Sequence, residues 1–389
     1  MFEVLLLLLI CSLLGYGIQN SRQSSPNDEG AGFSQLDQRG KCLYAFLMLM
    51  LVWFAGLRTV MNDTAIYMLS FTVKTPGTLS ELTSIDWAIG ANPLFNLYCA
   101  LLKILVSKNA QILVFVTSLI VVVSMLMFLL KYSINFAFSL YIFIAFCAFA
   151  FTMAAMKQTL ATAIAIWAIP LIDQKKWNIA LVLLVFAALI HPYVILLGCA
   201  FFFQGKSLWS KYDYLVILGT VLIGIFWTMI MHQVIDVTNS IGEEYQESYF
   251  AAETGVALPR ILFYLFPSIL AFLARKDLQS KCPSLWKTFI HLSVVASCFS
   301  LMSGKGGAVF IGRIPNYFDI FVCLTVPYLI SQWHSSSLHF RRTMSVIIIC
   351  LYLGYYVTYY KKYYNFLPQR TLFTSFYERV SLFDFVSSL

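Results

Sequence analysis

This chain is poor in charge. Of its 389 residues only 11% are Asp, Glu, Lys or Arg, against 60% hydrophobic, and the mean hydropathy is +0.79. It also lacks room for a soluble domain. The longest polar stretches, 19–41, 58–90 and 234–259, are too short to bury a core of their own. Its nine cysteines show no disulfide or metal-ligand spacing. Seven of them (Cys11, Cys99, Cys147, Cys199, Cys298, Cys323 and Cys350) fall in apolar runs and read as small buried hydrophobes. There is no metal cluster, no nucleotide-sugar site, no cofactor motif and no convincing internal repeat. The glycine-rich Gly304-Lys305-Gly306-Gly307 lacks the spacing and the Ser or Thr of a P-loop. The first 17 residues carry no basic segment and no small-residue cleavage site, so they read as a retained span. The net charge of +8 comes from 26 Lys and Arg scattered over short loops. That pattern anchors membrane helices and leaves no nucleic-acid footprint.

What the chain does have is repeated apolar runs of membrane length. They lie near 2–18, 42–57, 112–130, 136–151, 157–172, 214–233, 260–274, 286–302, 316–333 and 343–360. With 91–107 and 178–203 they allow about ten to twelve spans. Backbone polar groups must be satisfied internally in lipid, so the expected fold is an all-α polytopic bundle forming one membrane domain over 1–389.

Lys and Arg concentrate at 175–176, 206–211, 275–281 and 341–342, while 234–259 is the most acidic loop. The cationic loops are therefore expected on the cytoplasmic side and the acidic loop outside. Lys pairs at both ends of 178–203 then make that segment a re-entrant hairpin bent at His191-Pro192, because proline breaks the helical ladder. The alternative is one long, tilted, kinked span. On the hairpin reading 91–107, interrupted by Asn92, Pro93, Asn96 and Lys103, is an interfacial or re-entrant helix.

The few polar residues at membrane depth are functional candidates, since placing charge there is costly. Arg58 follows the second apolar run, and Asp63, Tyr67 and Phe71 come after it at four-residue spacing, one face of a helix. A carboxylate, a phenol and a ring in a row suit a sugar. The alternative is a helix capped by Asn62 or Asp63 with an interfacial aromatic anchor. Lys157 and Gln158 open another run, where Ala161 and Ala165 permit close helix packing. Lys157 is either a phosphate-binding point charge or a snorkelling anchor. His191 is either a base working near neutral pH or a structural hydrogen-bonding residue. Arg313 offers a planar fork for phosphate and is followed by Tyr317-Phe318; its alternative is a snorkelling cation after a flexible turn. The segment Tyr363-Tyr364-Asn365-Phe366-Leu367-Pro368-Gln369-Arg370 is aromatic and basic, as at a headgroup level.

Taken in order, these clusters resemble the EpsG family of bacterial exopolysaccharide membrane proteins, itself similar to Wzy-type polymerases. The resemblance runs over about residues 50–370 and rests on several short motifs. They are Gly56-Leu57-Arg58 with Asp63-Thr64 and Tyr67, Lys131-Tyr132-Ser133 with Asn135, Lys157-Gln158 with Ala161, Lys175-Lys176, His191, Arg313 with Tyr317-Phe318, and Pro368 with Arg370. One departure is that Lys157 stands where the family usually has Arg.

The resemblance implies a glycosyltransferase-C-like, metal-independent polymerase of the bacterial inner membrane, with its site facing outward. Its substrates would be oligosaccharide repeat units on polyprenyl diphosphate, destined for capsule, exopolysaccharide or O-antigen. A chain-length regulator is a candidate companion. His191, Asp63 and Arg313 are the expected catalytic residues. Arg58, Tyr67, Lys157, Gln158, Tyr317 and Arg370 are expected to bind substrate, with Glu243, Glu244 and Glu247 of the acidic loop beside the sugar. The competing readings are a lipid-linked oligosaccharide flippase and another membrane glycan transferase.

Overall fold

The computed structural model describes residues 2–22, 32–59, 61–226, 255–305, 311–332 and 338–363, with a few single positions between 229 and 240. Helices α1 to α5 are Phe2–Asn20, Gln38–Gly56, Thr64–Val73, Pro93–Leu105 and Gln111–Tyr132. Next come α6 Phe136–Ala145, α7 Ala148–Ala154, α8 Met156–Ala165, α9 Ala168–Asp173, α10 Trp177–Ala188 and α11 Cys199–Phe203. The remainder are α12 Lys211–Ile225, α13 Leu258–Leu273, α14 Arg275–Lys281, α15 Ser284–Ser303, α16 Asp319–Gln332 and α17 Leu338–Tyr363. Two 3₁₀ segments matter for the site: Pro192–Gly198 leads into α11, and Ile311–Phe318 leads into α16. No strand occurs among the described residues. The protein is an all-α, multi-pass membrane bundle.

Among the described residues, five helical stretches are long and apolar enough to cross a membrane alone: Gln38–Gly56, Gln111–Tyr132, Ser284–Ser303, Ile311–Gln332 and His339–Tyr359. A sixth candidate is α6 with α7, bent by 50°. The break falls at Cys147, whose φ of 63° is left-handed. Six shorter apolar helices, of 10–17 residues, account for much of the remaining apolar sequence. Protein encloses 94% of the Ile311–Gln332 window but only 22% of the His339–Tyr359 window. The stretch leading into α16 is thus the centre of the bundle, and α17 is a peripheral helix. Accordingly Cys350, expected among the buried cysteines, is exposed on α17.

The segment 177–204 doubles back on itself. His191 is extended, at φ −154° and ψ 113°, as a residue before proline must be. A Cβ on Gly198 would lie 3.8 Å from Leu184 Cδ1. In a continuous helix those positions would be about 21 Å apart, at 1.5 Å per residue. At the base, Trp177 Nε1 donates to Gln204 Oε1 at 3.1 Å, and the Gln204 amide reaches the Ile172 carbonyl. Both ends therefore lie together, and the hairpin replaces the single kinked span. Its tip touches the start of α4, where the Leu94 amide donates to the Leu189 carbonyl at 3.1 Å. α4 has 13 residues, about 20 Å of helix, short of the roughly 30 Å of hydrocarbon.

Close packing around α8 follows its small residues. Ala161 and Ala165 are fully buried, and Ser124 Oγ of α5 donates to the Ala163 carbonyl at 2.6 Å.

Candidate functional site

The polar candidates meet where several elements end. Arg58 closes α2, and a tight turn containing left-handed Asn62 (φ 44°) starts α3. Asp63 occupies the cap position of α3 but makes no side-chain cap. Its carboxylate instead accepts from Arg313 Nη1 at 3.3 Å. Both partners are partly open, at 44% exposure for the Arg313 side chain and 31% for Asp63. The capping role expected of Asp63 is thus exchanged for an ion pair spanning 250 residues of sequence.

Arg313 is fixed from behind as well. Gln158 Nε2, at the start of α8, donates to the Arg313 carbonyl at 2.8 Å. One turn on, Tyr317 is buried, and its hydroxyl sits 2.7 Å from His191 Nδ1 at the hairpin tip. The Tyr67 ring lies 6.0 Å from Phe95 of α4, and Lys157 Nζ sits over the same Phe95 ring at 5.8 Å. Asp63, Tyr67, Lys157, Gln158, His191, Arg313 and Tyr317 therefore form one connected neighbourhood.

Two expectations are reshaped. Arg58 is only 2% exposed. Its guanidinium donates to Thr64 Oγ1 at 3.2 Å, to Ser118 Oγ at 2.8 Å and to the Ala55 carbonyl, so it ties α2 to α3 and α5. Phe71, foreseen in the sugar-facing row, is 1% exposed and cannot present its ring. Its carbonyl and those of Thr72 and Thr75 are capped by Lys103 Nζ at 2.8–3.0 Å. Arg370, Pro368, Glu243, Glu244 and Glu247 lie outside the described residues.

A second polar cluster escapes the sequence reading. Arg260 and Tyr264 of α13 face Asn316 and Asp319. Arg260 donates to Asn316 Oδ1, and the Tyr264 hydroxyl lies between that oxygen, at 2.9 Å, and the Asp319 carboxylate. A cavity of about 10 Å³ lies among these groups, enough for roughly one water. Asp319 is 8% exposed, so its charge depends on these partners. The signal was present. Arg313, Asn316 and Asp319 are three apart, which on a 3₁₀ helix is one edge. Arg260 and Tyr264 are four apart, one face of an α-helix.

Residues 41–371 match the EpsG family. The chain belongs to the EpsG family. No curated protein and no solved structure matches it. In this EpsG-family protein the matched region takes in every element of the site just described. The 3₁₀ segment Ile311–Phe318 is its organiser, presenting Arg313 to Asp63, Tyr317 to His191 and Asn316 to Arg260.

Proposed function

We propose that this protein polymerises oligosaccharide repeat units carried on polyprenyl diphosphate, at the outer face of a bacterial inner membrane, for a surface polysaccharide. The observation that carries this reading is the pairing of Arg313 with Asp63 and of Tyr317 with His191 on one short helix at the centre of the bundle. Such a polymerase breaks the bond between the anomeric carbon and the diphosphate oxygen. It forms a glycosidic bond to a hydroxyl of the incoming unit. Negative charge grows on the departing diphosphate, and a proton leaves the attacking hydroxyl.

Arg313 and Lys157 meet the first need. Cations held in place before reaction stabilise the leaving group without reorganisation. Asp63 orients Arg313 and leaves part of its fork open. Arg58 positions α3, and with it Asp63 and Tyr67, from its buried place behind the site. His191 meets the second need. With Nδ1–H donating to the Tyr317 oxygen, Nε2 keeps its lone pair for the hydroxyl proton. Asp63 is the weaker base because its charge is already paired. Tyr67 shapes the wall beside the sugar, and Gln158 holds the Arg313 backbone from behind. The Lys-rich loops at the hairpin base support an outward site, since they belong on the cytoplasmic side. The cargo reaches the site already activated on its lipid, and a length regulator would act on the same cycle from outside this chain.

The test is a gel of lipid-linked glycans from cells lacking the gene, complemented with the wild type or with His191→Ala. Loss of long chains, with single units accumulating on the outer face at normal protein level, is the expected result. Single units held on the cytoplasmic face would mean a flippase instead. Chains of normal length lacking a substituent would mean a modifying transferase.

A further inference from the structure

At the end of α5 away from the site, an apolar cavity of 530 Å³ opens between α2, α5 and Trp167. The distance is large: Gln111 bonds the Arg58 carbonyl, and Lys131 stands 20 residues on, about 30 Å along the helix. Met48, Val123 and Met127 line it, with Phe33 and Tyr44.

Three features there have no part in the proposed chemistry. Lys131 is exposed on the rim, its ammonium over the rings of Tyr132 at 5.4 Å and Trp167 at 5.8 Å. Among the described residues it has no carboxylate partner. Lys41 lies at 5.9 Å over the ring of Phe33, itself a lining residue, and brings a second cation near. Tyr44 is a lining residue, and its hydroxyl is closed off from solvent with no hydrogen-bond partner among the described residues. A buried unpaired hydroxyl is costly unless something bonds it. Nearby, Arg22 is consumed in capping α5, donating to the Leu130 and Ser133 carbonyls at 3.0 and 2.8 Å.

We propose that this cavity is a binding site for an anionic phospholipid of the leaflet at this end of α5. One acyl chain lies along Met48, Val123 and Met127, and the phosphate pairs with Lys131 and Lys41. Charge selects the occupant: a cationic rim over an apolar slot matches an anionic head on an apolar tail, and basic pockets between membrane helices hold such lipids. Flexible thioethers accommodate a chain of variable shape. The proposal rests on the membrane fold alone and stands or falls independently of the polymerase reading.

Native mass spectrometry of the full chain in detergent tests it, with phosphatidylglycerol, phosphatidylcholine or a polyprenyl phosphate added. Phosphatidylglycerol should be retained over phosphatidylcholine. Lys131→Gln should lower that retention about fivefold, and adding Lys41→Gln should lower it about as much again. Met48→Trp, which fills the slot, should reduce retention of phosphatidylglycerol with the thermal midpoint kept. Equal retention of the two phospholipids, or retention unchanged in these variants, would overturn the proposal. So would polyprenyl phosphate outcompeting phosphatidylglycerol, or inorganic phosphate alone displacing it.

Discussion

Arg313 offers the sharpest separation of catalysis from stability. Its pairing with Asp63 is long, at 3.3 Å, and its side chain is 44% exposed. Exposed pairs contribute about 0.2–1 kcal/mol, so Arg313→Ala should barely move the melting midpoint in detergent. The effect on chemistry should be far larger. Removing one preorganised donor to a developing anion costs roughly a hundredfold or more, about 2.7 kcal/mol upward. Arg313→Lys keeps the charge but loses the planar fork, for an expected loss of about tenfold, near 1.4 kcal/mol. Asp63→Asn removes only the orienting charge, an effect of about fivefold at most if the pair is worth up to roughly 1 kcal/mol. The ordering is therefore Ala far below Lys, Lys below Asn, at equal protein level. The assay is the glycan ladder of complemented cells, read beside membrane protein abundance and thermal unfolding. Wild-type chain length in Arg313→Ala at wild-type abundance would refute the reasoning. A collapse of abundance matching the loss of polymer would refute it too, because the pair would then be structural.

The buried His291–Asp213 contact should behave in the opposite way. His291 Nδ1 and Asp213 Oδ1 are 2.6 Å apart at 0% and 1% exposure, and the His291 ring stacks on Phe203 at 4.5 Å. Asp213→Ala leaves the buried imidazole without this partner, so it should cost about 1–3 kcal/mol and deplete folded protein; an unchanged melting midpoint would count against this. The hairpin predicts that Lys176→Cys and Lys206→Cys, each in a chain with Cys42 and Cys350 changed to Ser, react with an impermeant maleimide from the same side of the membrane. Labelling from opposite sides would restore the kinked span. Tyr317→Phe removes the hydroxyl on His191 Nδ1 and should slow polymerisation by about tenfold, one hydrogen bond of roughly 1.4 kcal/mol, while leaving abundance intact. Unaltered turnover would place the His191–Tyr317 contact outside the chemistry.

Much of this architecture is legible in the chain. Apolar runs disclose the helices, and Pro192 between two lysine-flanked arms discloses the hairpin because proline constrains the backbone locally. The order of Arg58, Asp63, His191 and Arg313 is likewise visible as charge interrupting apolar sequence. What spacing could not give is which polar groups find one another. Asp213 and His291 are 78 residues apart, and neither belongs to a local pattern. Asp63 looks like a helix cap because capping is a local rule, yet a distant guanidinium competes for its carboxylate. Phe71 shares a helix face with Tyr67, but only packing against α4 decides that Phe71 is sealed in. Asp319 stands alone before an apolar run, and its partner Tyr264, like the Arg260 that bonds the neighbouring Asn316, comes from a helix more than fifty residues earlier. Long-range pairing depends on crossing geometry, which one-dimensional periodicity does not encode.

The hairpin also bears on how the chain is threaded into its membrane. Because its two arms meet at Trp177 and Gln204, the chain enters and leaves it at the same end. A lineage could shorten, lengthen or exchange it without reversing the orientation of anything downstream. The side on which Arg313 stands is thereby insulated from changes in the very element that delivers His191 to it.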